Sequence, residues 1–270
     1  MVFFPNCKIN LGLKILRKRP DGYHDLETVF YPLPLKDVLE VVRAGELHFS
    51  ASGIPIPGGN ADENLCLRAW RLLKEDIKDL PPVHIYLYKQ IPIGAGLGGG
   101  SADGAFMLRL LDACFHLELG QEKLLHYAAR LGSDCPFFIL NKPCLGGGRG
   151  EQLEALDLDL SRYSFLLVHP GIHISTARAF SQIQPALPKR SLREIIQQPV
   201  ISWATELVND FEAPALREHP ELGIIREKLY GAGALYAAMT GSGSSFFGIF
   251  EKDKAPSISF EQNYQVTSIR

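Results

Sequence analysis

Pro92-Ile93-Gly94-Ala95-Gly96-Leu97-Gly98-Gly99-Gly100-Ser101-Ala102 leads from the end of an alternating apolar stretch into the start of a helical one. Glycines there let main-chain N–H groups approach an anion closely, and the helix behind them adds the partial positive charge of its N-terminus. A tight strand-to-helix turn needs one or two glycines, whereas this stretch has five in seven positions, so it reads as a phosphate-cradling loop. It is not a Walker loop, because the chain contains no Gly-Lys dipeptide. Gly94, Gly96 and Gly99 fit G-x-G-x-x-G. A dinucleotide site, however, needs a buried strand directly before the first glycine and an acidic residue closing the next strand. Here Pro92 intervenes and Glu118 follows a helix. With neither H-R-D nor D-F-G present, a protein kinase is excluded too.

Before the loop, Val83, Ile85 and Leu87 alternate with His84, Tyr86 and Tyr88, a period of two that predicts a half-exposed strand ending at Lys89. After it, Met107, Leu110, Leu111, Cys114 and Phe115 recur at helical spacing. From residue 7 to 16, Cys7, Ile9, Leu11, Leu13 and Ile15 face one way and Lys8, Asn10, Gly12 and Lys14 the other. Further strands are expected at 26–31, 38–42 and 47–49. The turn chemistry of Arg19-Pro20-Asp21-Gly22 makes the strands at 7–16 and 26–31 a hairpin or neighbours. A helix along Cys66, Ala69, Trp70, Leu73 and Ile77 starts at Asp62-Glu63-Asn64, and another over 121–131 stops at Gly132, a place for a left-handed C-cap. Ser133-Asp134-Cys135-Pro136 then turns the chain into 137–140. Beyond residue 156 come a strand at 165–168, a short helix around 176–183, a Pro-marked loop, a helix ending at Gly231, and two strands flanking Gly241-Ser242-Gly243-Ser244. The glycine run at 146–150 separates the two sets, giving domains of 1–150 and 151–270.

Among 270 residues, 28 Lys and Arg stand against 30 Asp and Glu, a net charge of −2. No global field draws this chain to nucleic acid or to an anionic membrane. At 46% hydrophobic and 21% charged it belongs with globular proteins, and about 150 residues per domain gives two domains. Cys7, Cys66, Cys114, Cys135 and Cys144 are odd in number and form no C-x-x-C pair, which argues against a disulfide framework and a zinc knuckle. A reducing cytoplasm is expected, with no signal segment and no run near the ~20 apolar residues of a membrane span.

Taken singly, the polar residues in these patterns have ordinary readings. Asp134, just before Pro136, is a turn or N-cap aspartate. Lys8 and Lys89 are solvated strand lysines. Tyr23 and His24 belong to a turn, and Gly241-Ser242-Gly243 is either a glycine hairpin or an anion-binding nest.

Together, the motifs resemble a family. The stretch from Pro92 to Ala102 is similar to the ATP-binding signature of the GHMP kinases, in the three-glycine form of the branch acting on the cytidine-diphosphate conjugate of methylerythritol. Lys8-Ile9-Asn10-Leu11, Arg19-Pro20-Asp21-Gly22-Tyr23-His24, Leu131-Gly132-Ser133-Asp134-Cys135-Pro136-Phe137-Phe138 and Met239-Thr240-Gly241-Ser242-Gly243-Ser244-Ser245 agree with that branch, in order and across almost the whole chain. The resemblance implies a two-domain α+β fold, with an N-terminal ATP-binding domain like ribosomal protein S5 and a ferredoxin-like C-terminal domain. It implies ATP with Mg²⁺ as co-substrate, a small-molecule acceptor, no nucleic-acid or membrane partner, and a monomer or homodimer.

By the same resemblance, Asp134 is the catalytic base and Lys8 its cationic partner. Pro92, Ile93, Gly94, Ala95, Gly96, Leu97, Gly98, Gly99, Gly100, Ser101 and Ala102 hold ATP, with Lys89 and Asn64 as further contacts. Tyr23 and His24 hold a cytosine, since an aromatic ring stacks on a pyrimidine and a neutral imidazole offers one donor and one acceptor. Asn10, Tyr31, Thr176, Phe180, Gly241, Ser242 and Gly243 complete the acceptor site. No protein metal cluster is implied, Mg²⁺ arriving on ATP with Ser101 as a nearby hydroxyl. Asp103 departs from the Asn of some members, in a first helical turn where the dipole favours a carboxylate. Rival readings are a GHMP kinase for homoserine or mevalonate, a non-catalytic nucleotide-binding protein on the same scaffold and, more remotely, a dinucleotide oxidoreductase.

Overall fold

The computed structural model describes residues 1–57, 63–254 and 256–270, which fold into two compact units that interleave in sequence. The first comprises Met1–Cys7, Pro34–Ile93 and Gly98–Lys142. Its sheet joins β1 (Val2–Phe3), β4 (Val38–Arg43), β5 (His48–Gly53) and β6 (Val83–Lys89) in the order β1-β4-β6-β5. β4 runs antiparallel to β6 and β5 parallel to it. The expected alternation holds on β6, where Val83, Ile85 and Leu87 are buried while Tyr86 and Tyr88 are exposed. Each such buried aliphatic contributes roughly 1.5–3 kcal/mol. α1 (Leu65–Asp76), α2 (Gly99–Phe115), α3 (Gly120–Leu131) and α4 (Cys135–Leu140) belong to this unit, and α2 packs on the other three and on β4. The proposed helix start at Asp62 lies outside the described residues, but Asn64 caps α1, its side chain accepting from the Cys66 N–H at 2.9 Å.

The second unit comprises Lys8–Leu33, Gly94–Leu97 and Pro143–Arg270. β2 (Asn6–Lys18) and β3 (His24–Lys36) neighbour each other as the turn at 19–22 requires. They continue into β7 (Cys144–Gly147) and β8 (Gln152–Ala155). A second, antiparallel sheet has the order β10-β11-β9-β12, from β9 (Tyr163–His169), β10 (Tyr236–Met239), β11 (Phe246–Glu251) and β12 (Gln265–Ile269). α5 (Thr176–Ser181), α6 (Leu192–Ile196), α7 (Glu212–Glu218) and α8 (Glu221–Gly231) complete it, with α8 against β10 and β11. Ile15, Leu166, Val168, Ile225, Leu229, Met239 and Phe246 form the centre of its core.

Three sequence expectations change. The glycine run at 146–150 is the tip of the β7–β8 hairpin, not a linker, so the contacts divide the chain elsewhere than at residue 150. The reason is that β2 and β3 are hydrogen-bonded into the sheet that β7 and β8 complete. Gly132 is extended (φ 174°) rather than left-handed, because the chain turns at once through the Cys135 N–H to Gly132 carbonyl bond into α4. Finally, the polar face of β2 is not solvated, since Lys8 and Asn10 are 3% and 1% exposed.

Candidate active site

A buried polar strand face needs partners, because each unsatisfied group costs the desolvation it has lost. The Lys8 ammonium donates to Asn10 Oδ1 at 2.6 Å and to the Gly96 carbonyl at 3.0 Å. Asn10 Nδ2 donates to Thr28 Oγ1 at 2.9 Å, and Thr28 Oγ1 in turn to the Gly12 carbonyl at 2.6 Å. The Asn10 N–H donates to Thr240 Oγ1 at 3.0 Å, and that hydroxyl lies 3.3 Å from Asn10 Oδ1 and 3.2 Å from the Gly96 carbonyl. Asn10, expected as a substrate contact, thus has its amide engaged in orienting Lys8. Thr240 and Thr28 were not singled out from sequence.

The same network joins two glycine loops of the second unit. A Cβ on Gly96 (φ +77°) would stand 2.0 Å from the Thr240 carbonyl oxygen, and one on Gly241 would stand 3.0 Å from the Gly96 Cα. Only glycine allows backbones this close. The Ser245 N–H donates to the Ala95 carbonyl at 3.3 Å, and Thr176 Oγ1 lies 3.1 Å from Ser242 Oγ. His173, which no motif marked, brings its imidazole near Gly94.

Aromatic residues of this unit gather in part. His24 stacks on Phe180 with centroids 5.0 Å apart, and Phe180 meets Phe211 edge-on at 4.8 Å. Tyr23 is 57% exposed, its ring under the Arg149 guanidinium at 4.8 Å. Tyr31 is not brought to this group: it stacks on Phe165, and its hydroxyl accepts from the Leu160 N–H.

In the first unit, Gly98 caps α2 in the left-handed region (φ 71°), and no acidic residue occupies the first turn of that helix. Gly100 is exposed, and a Cβ there would meet nothing within 4 Å beyond its chain neighbours and its own helix backbone. Pro92 and Ala102 are buried, and Ile93 is half-buried. The Ser101 hydroxyl bonds the Cys135 thiol, which burial pushes up to about 12, so that thiol is inert. Half-buried Asp134 sits at the N-cap position of α4, yet its carboxylate makes no capping hydrogen bond.

Lys89 is not the solvated lysine expected. It is 3% exposed, its ammonium bonded to Asp37 Oδ2 and, at 2.7 Å, to Asp103 Oδ2. Burial alone would lower this ammonium, but the Asp103 and Asp37 carboxylates outweigh it and raise its pKa. Asp37 Oδ1 also accepts the N–H groups of Gln90 (2.6 Å) and Ile91 (2.9 Å), fixing the entrance to the glycine loop. Asp103 is one residue past the first turn of α2 and buried, not solvated near the helix end. Lys89 and Asn64 therefore both have structural employment.

The second unit offers a buried cation against a glycine-loop carbonyl and an aromatic platform, and the first unit offers main-chain donors at a helix start and a carboxylate that makes no capping bond. Those are the parts of phosphoryl transfer, which works by positioning and charge stabilisation. Among the described residues no group of three or more His, Cys, Asp or Glu is arranged to hold a metal ion. No helix among them is long and apolar enough to cross a membrane.

Comparison with known proteins agrees. A family model described as GHMP kinases N terminal domain matches residues 64–142, and one described as GHMP kinases C terminal matches 183–261. A 4-diphosphocytidyl-2-C-methyl-D-erythritol kinase of Bacteroides fragilis (strain YCH46) is 52% identical over 268 residues, 97% of this chain and 96% of its own. One of Solibacter usitatus (strain Ellin6076) is 38% identical over 260 residues, 92% and 81% respectively. The crystal structure of a 4-(cytidine 5'-diphospho)-2C-methyl-D-erythritol kinase matches with a TM-score of 0.80 at 35% identity, covering 92% of this chain and 90% of that one. The Methanococcus jannaschii mevalonate kinase, at 12% identity and a TM-score of 0.72, shares the fold.

Proposed function

The chain belongs to the GHMP kinase family, and we infer that it transfers the γ-phosphoryl group of ATP to the 2-hydroxyl of 4-diphosphocytidyl-2-C-methyl-D-erythritol, a step of the non-mevalonate route to isoprenoids. The observation that carries the chemistry is the Lys8 ammonium on the Gly96 carbonyl, which seats a buried cation at the glycine loop. Main-chain N–H groups of 94–100 and the start of α2 cradle the nucleotide phosphates, with the open space before Gly100 as room for an anion. Mg²⁺ bound to ATP would supply positive charge to the transferring phosphate, and the Ser101 hydroxyl is the group of this chain that would help hold it.

Asp134 accepts the proton of the acceptor hydroxyl as its oxygen attacks the γ-phosphorus and ADP leaves. Lys8 offers its positive charge to the forming alkoxide and the transferring phosphate. Asn10 and Thr28 orient Lys8. Tyr23, His24 and Phe180 hold the cytosine, and Tyr31, engaged by Phe165 and Leu160, is left out of that group. Thr176, Ser242 and the N–H groups of Gly241 and Gly243 hold the acceptor diphosphate. Lys89 and Asn64 act on ATP through the loop and helix they fix. None of the five cysteines is in a disulfide, and the setting this reading takes is the reducing cytoplasm.

The test is ADP release coupled to phosphorus NMR of the product, with ATP·Mg²⁺ and the cytidine-diphosphate alcohol, on wild type and Asp134→Asn. A new phosphomonoester whose formation collapses in the variant supports substrate and base together. Turnover with homoserine or mevalonate instead would leave the fold and loop standing and remove the cytosine assignment.

A further inference from the structure

Asn209 lies outside every motif recognised in the sequence. Its side chain is 1% exposed, its Nδ2 donates to the carbonyls of Met239 (2.9 Å) and Gly241 (2.8 Å), and its Oδ1 accepts from the Phe211 N–H (3.0 Å). A primary amide has two N–H donors, and both are used on the carbonyls either side of Thr240. Two of these residues, Met239 and Thr240, are also held from other directions. Glu212 Oε2 accepts the Met239 N–H at 2.8 Å, and the Ser245 carbonyl accepts the Thr240 N–H at 2.9 Å. Held this way, Thr240 turns its hydroxyl to the Asn10 N–H and to within 3.2 Å of the Gly96 carbonyl, the two residues on which the Lys8 ammonium rests.

The next residue secures the other side. Asp210 donates its N–H to the Leu13 carbonyl (2.8 Å) and accepts from the Ile15 N–H (2.9 Å) and Lys14 Nζ (3.0 Å). Asn209 and Asp210 thus fasten the Thr240 loop and the strand that carries Lys8 and Asn10 to a single point of the chain.

We propose that Asn209 is a positioning residue for phosphoryl transfer, acting through the Thr240 hydroxyl on the Asn10–Lys8 pair. The proposal rests on the kinase reading of this site. Removing the amide takes a donor from each of two buried carbonyls, and the shift that relieves them moves Thr240.

Asn209→Ala, the isosteric Asn209→Asp and Thr240→Val are compared with wild type by steady-state kinetics and by backbone hydrogen exchange over 239–245. The expected result is a kcat at least tenfold lower in each, with KM for ATP changed less than threefold. The Asn209 variants should also exchange faster at 240–245 but not in β11, and Asn209→Ala with Thr240→Val together should be no slower than the worse single variant, since both act through one hydroxyl. Unchanged kcat in the Asn209 variants, or a double variant whose loss is the product of the single losses, overturns the proposal. Should Asn209→Ala not fold, Asn209→Asp paired with Thr240→Val decides by the same criteria. A wild type that phosphorylates no alcohol refutes the kinase reading, whereas unaltered exchange at 240–245 refutes the clamp itself.

Discussion

The Lys8 ammonium donates to Asn10 Oδ1 at 2.6 Å from the same face of one strand. Asn10 cannot present its NH₂ there, because Nδ2 is committed to Thr28 Oγ1 at 2.9 Å. Asn10→Ala therefore leaves a buried ammonium with one acceptor fewer, a loss of about 1.5–3 kcal/mol for a hydrogen bond to a charged group. A roughly tenfold to hundredfold fall in kcat is expected, with KM for ATP nearly unchanged, since the Gly96 contact remains. Steady-state kinetics with varied ATP checks it, and an equal rise in KM for ATP would point instead to collapse of the glycine loop.

Asp134 occupies an N-cap position without capping. A capping aspartate replaced by a non-capping residue costs about 1 kcal/mol, but here there is no such bond to lose. Asp134→Ala is expected to keep α4 folded while phosphoryl transfer falls by about a thousandfold or more. A lowered melting temperature with activity largely kept would return Asp134 to the role of a helix cap.

The two loop glycines part company. At Gly96 a Cβ would stand 2.0 Å from the Thr240 carbonyl oxygen and the backbone is left-handed, so Gly96→Ala should destabilise and weaken binding of both substrates. At Gly100 a Cβ meets nothing, and inside a helix Ala is better than Gly by about 1 kcal/mol. Gly100→Ala should then fold at least as well as wild type, yet raise KM for ATP about tenfold if phosphate fills the open space. A variant equal to wild type in both respects would move the phosphates away from Gly100.

Period and composition made β6, α1, α2 and the glycine loop legible, because each is decided by neighbours within a few residues. The burial of Lys8 and Asn10 is not of that kind. Alternation marks them as polar and assigns that face to solvent, whereas their partners Gly96 and Thr240 lie 88 and 230 residues away. Lys89 misleads for the same reason: Asp37, 52 residues off, and Asp103 are what draw it inside. In the motif from Met239 to Ser245 the glycines and Ser242 stand out as anion binders. What Thr240 does depends on Asn209, 31 positions earlier, which carries no local signal.

Tyr23 is 57% exposed and packs chiefly under Arg149 at 4.8 Å, so its ring supports little of the fold. Base-on-aromatic stacking is worth roughly 1–3 kcal/mol, which converts to about a tenfold to hundredfold rise in acceptor KM for Tyr23→Ala with no more than a small change in stability. Tyr23→Phe should keep most of the affinity. Isothermal titration with cytidine diphosphate alone isolates the base contact, and equal binding by wild type and Tyr23→Ala would exclude Tyr23 from the cytosine site.

Two buried carboxylates, Asp37 and Asp103, share the single ammonium of Lys89, and Asp103 Oδ1 has no hydrogen-bond partner among the described residues. Burial, opposed by Lys89 and aided by Asp37, pushes the Asp103 carboxyl up to about 8 from an ordinary 3.8. Between those values the folded chain keeps a proton that the unfolded chain has released, so stability falls as pH rises. The contribution is whole below the ordinary carboxylate value and is lost by the time pH has passed about 8. Asp103→Asn keeps an oxygen for Lys89 and never ionises. It should be more stable than wild type at pH 9, with the gap in melting temperature closing toward pH 5. Melting curves at pH 5, 7 and 9 decide: were Asp103 an ordinary ionised partner of Lys89, the Asn variant would be the less stable protein at all three.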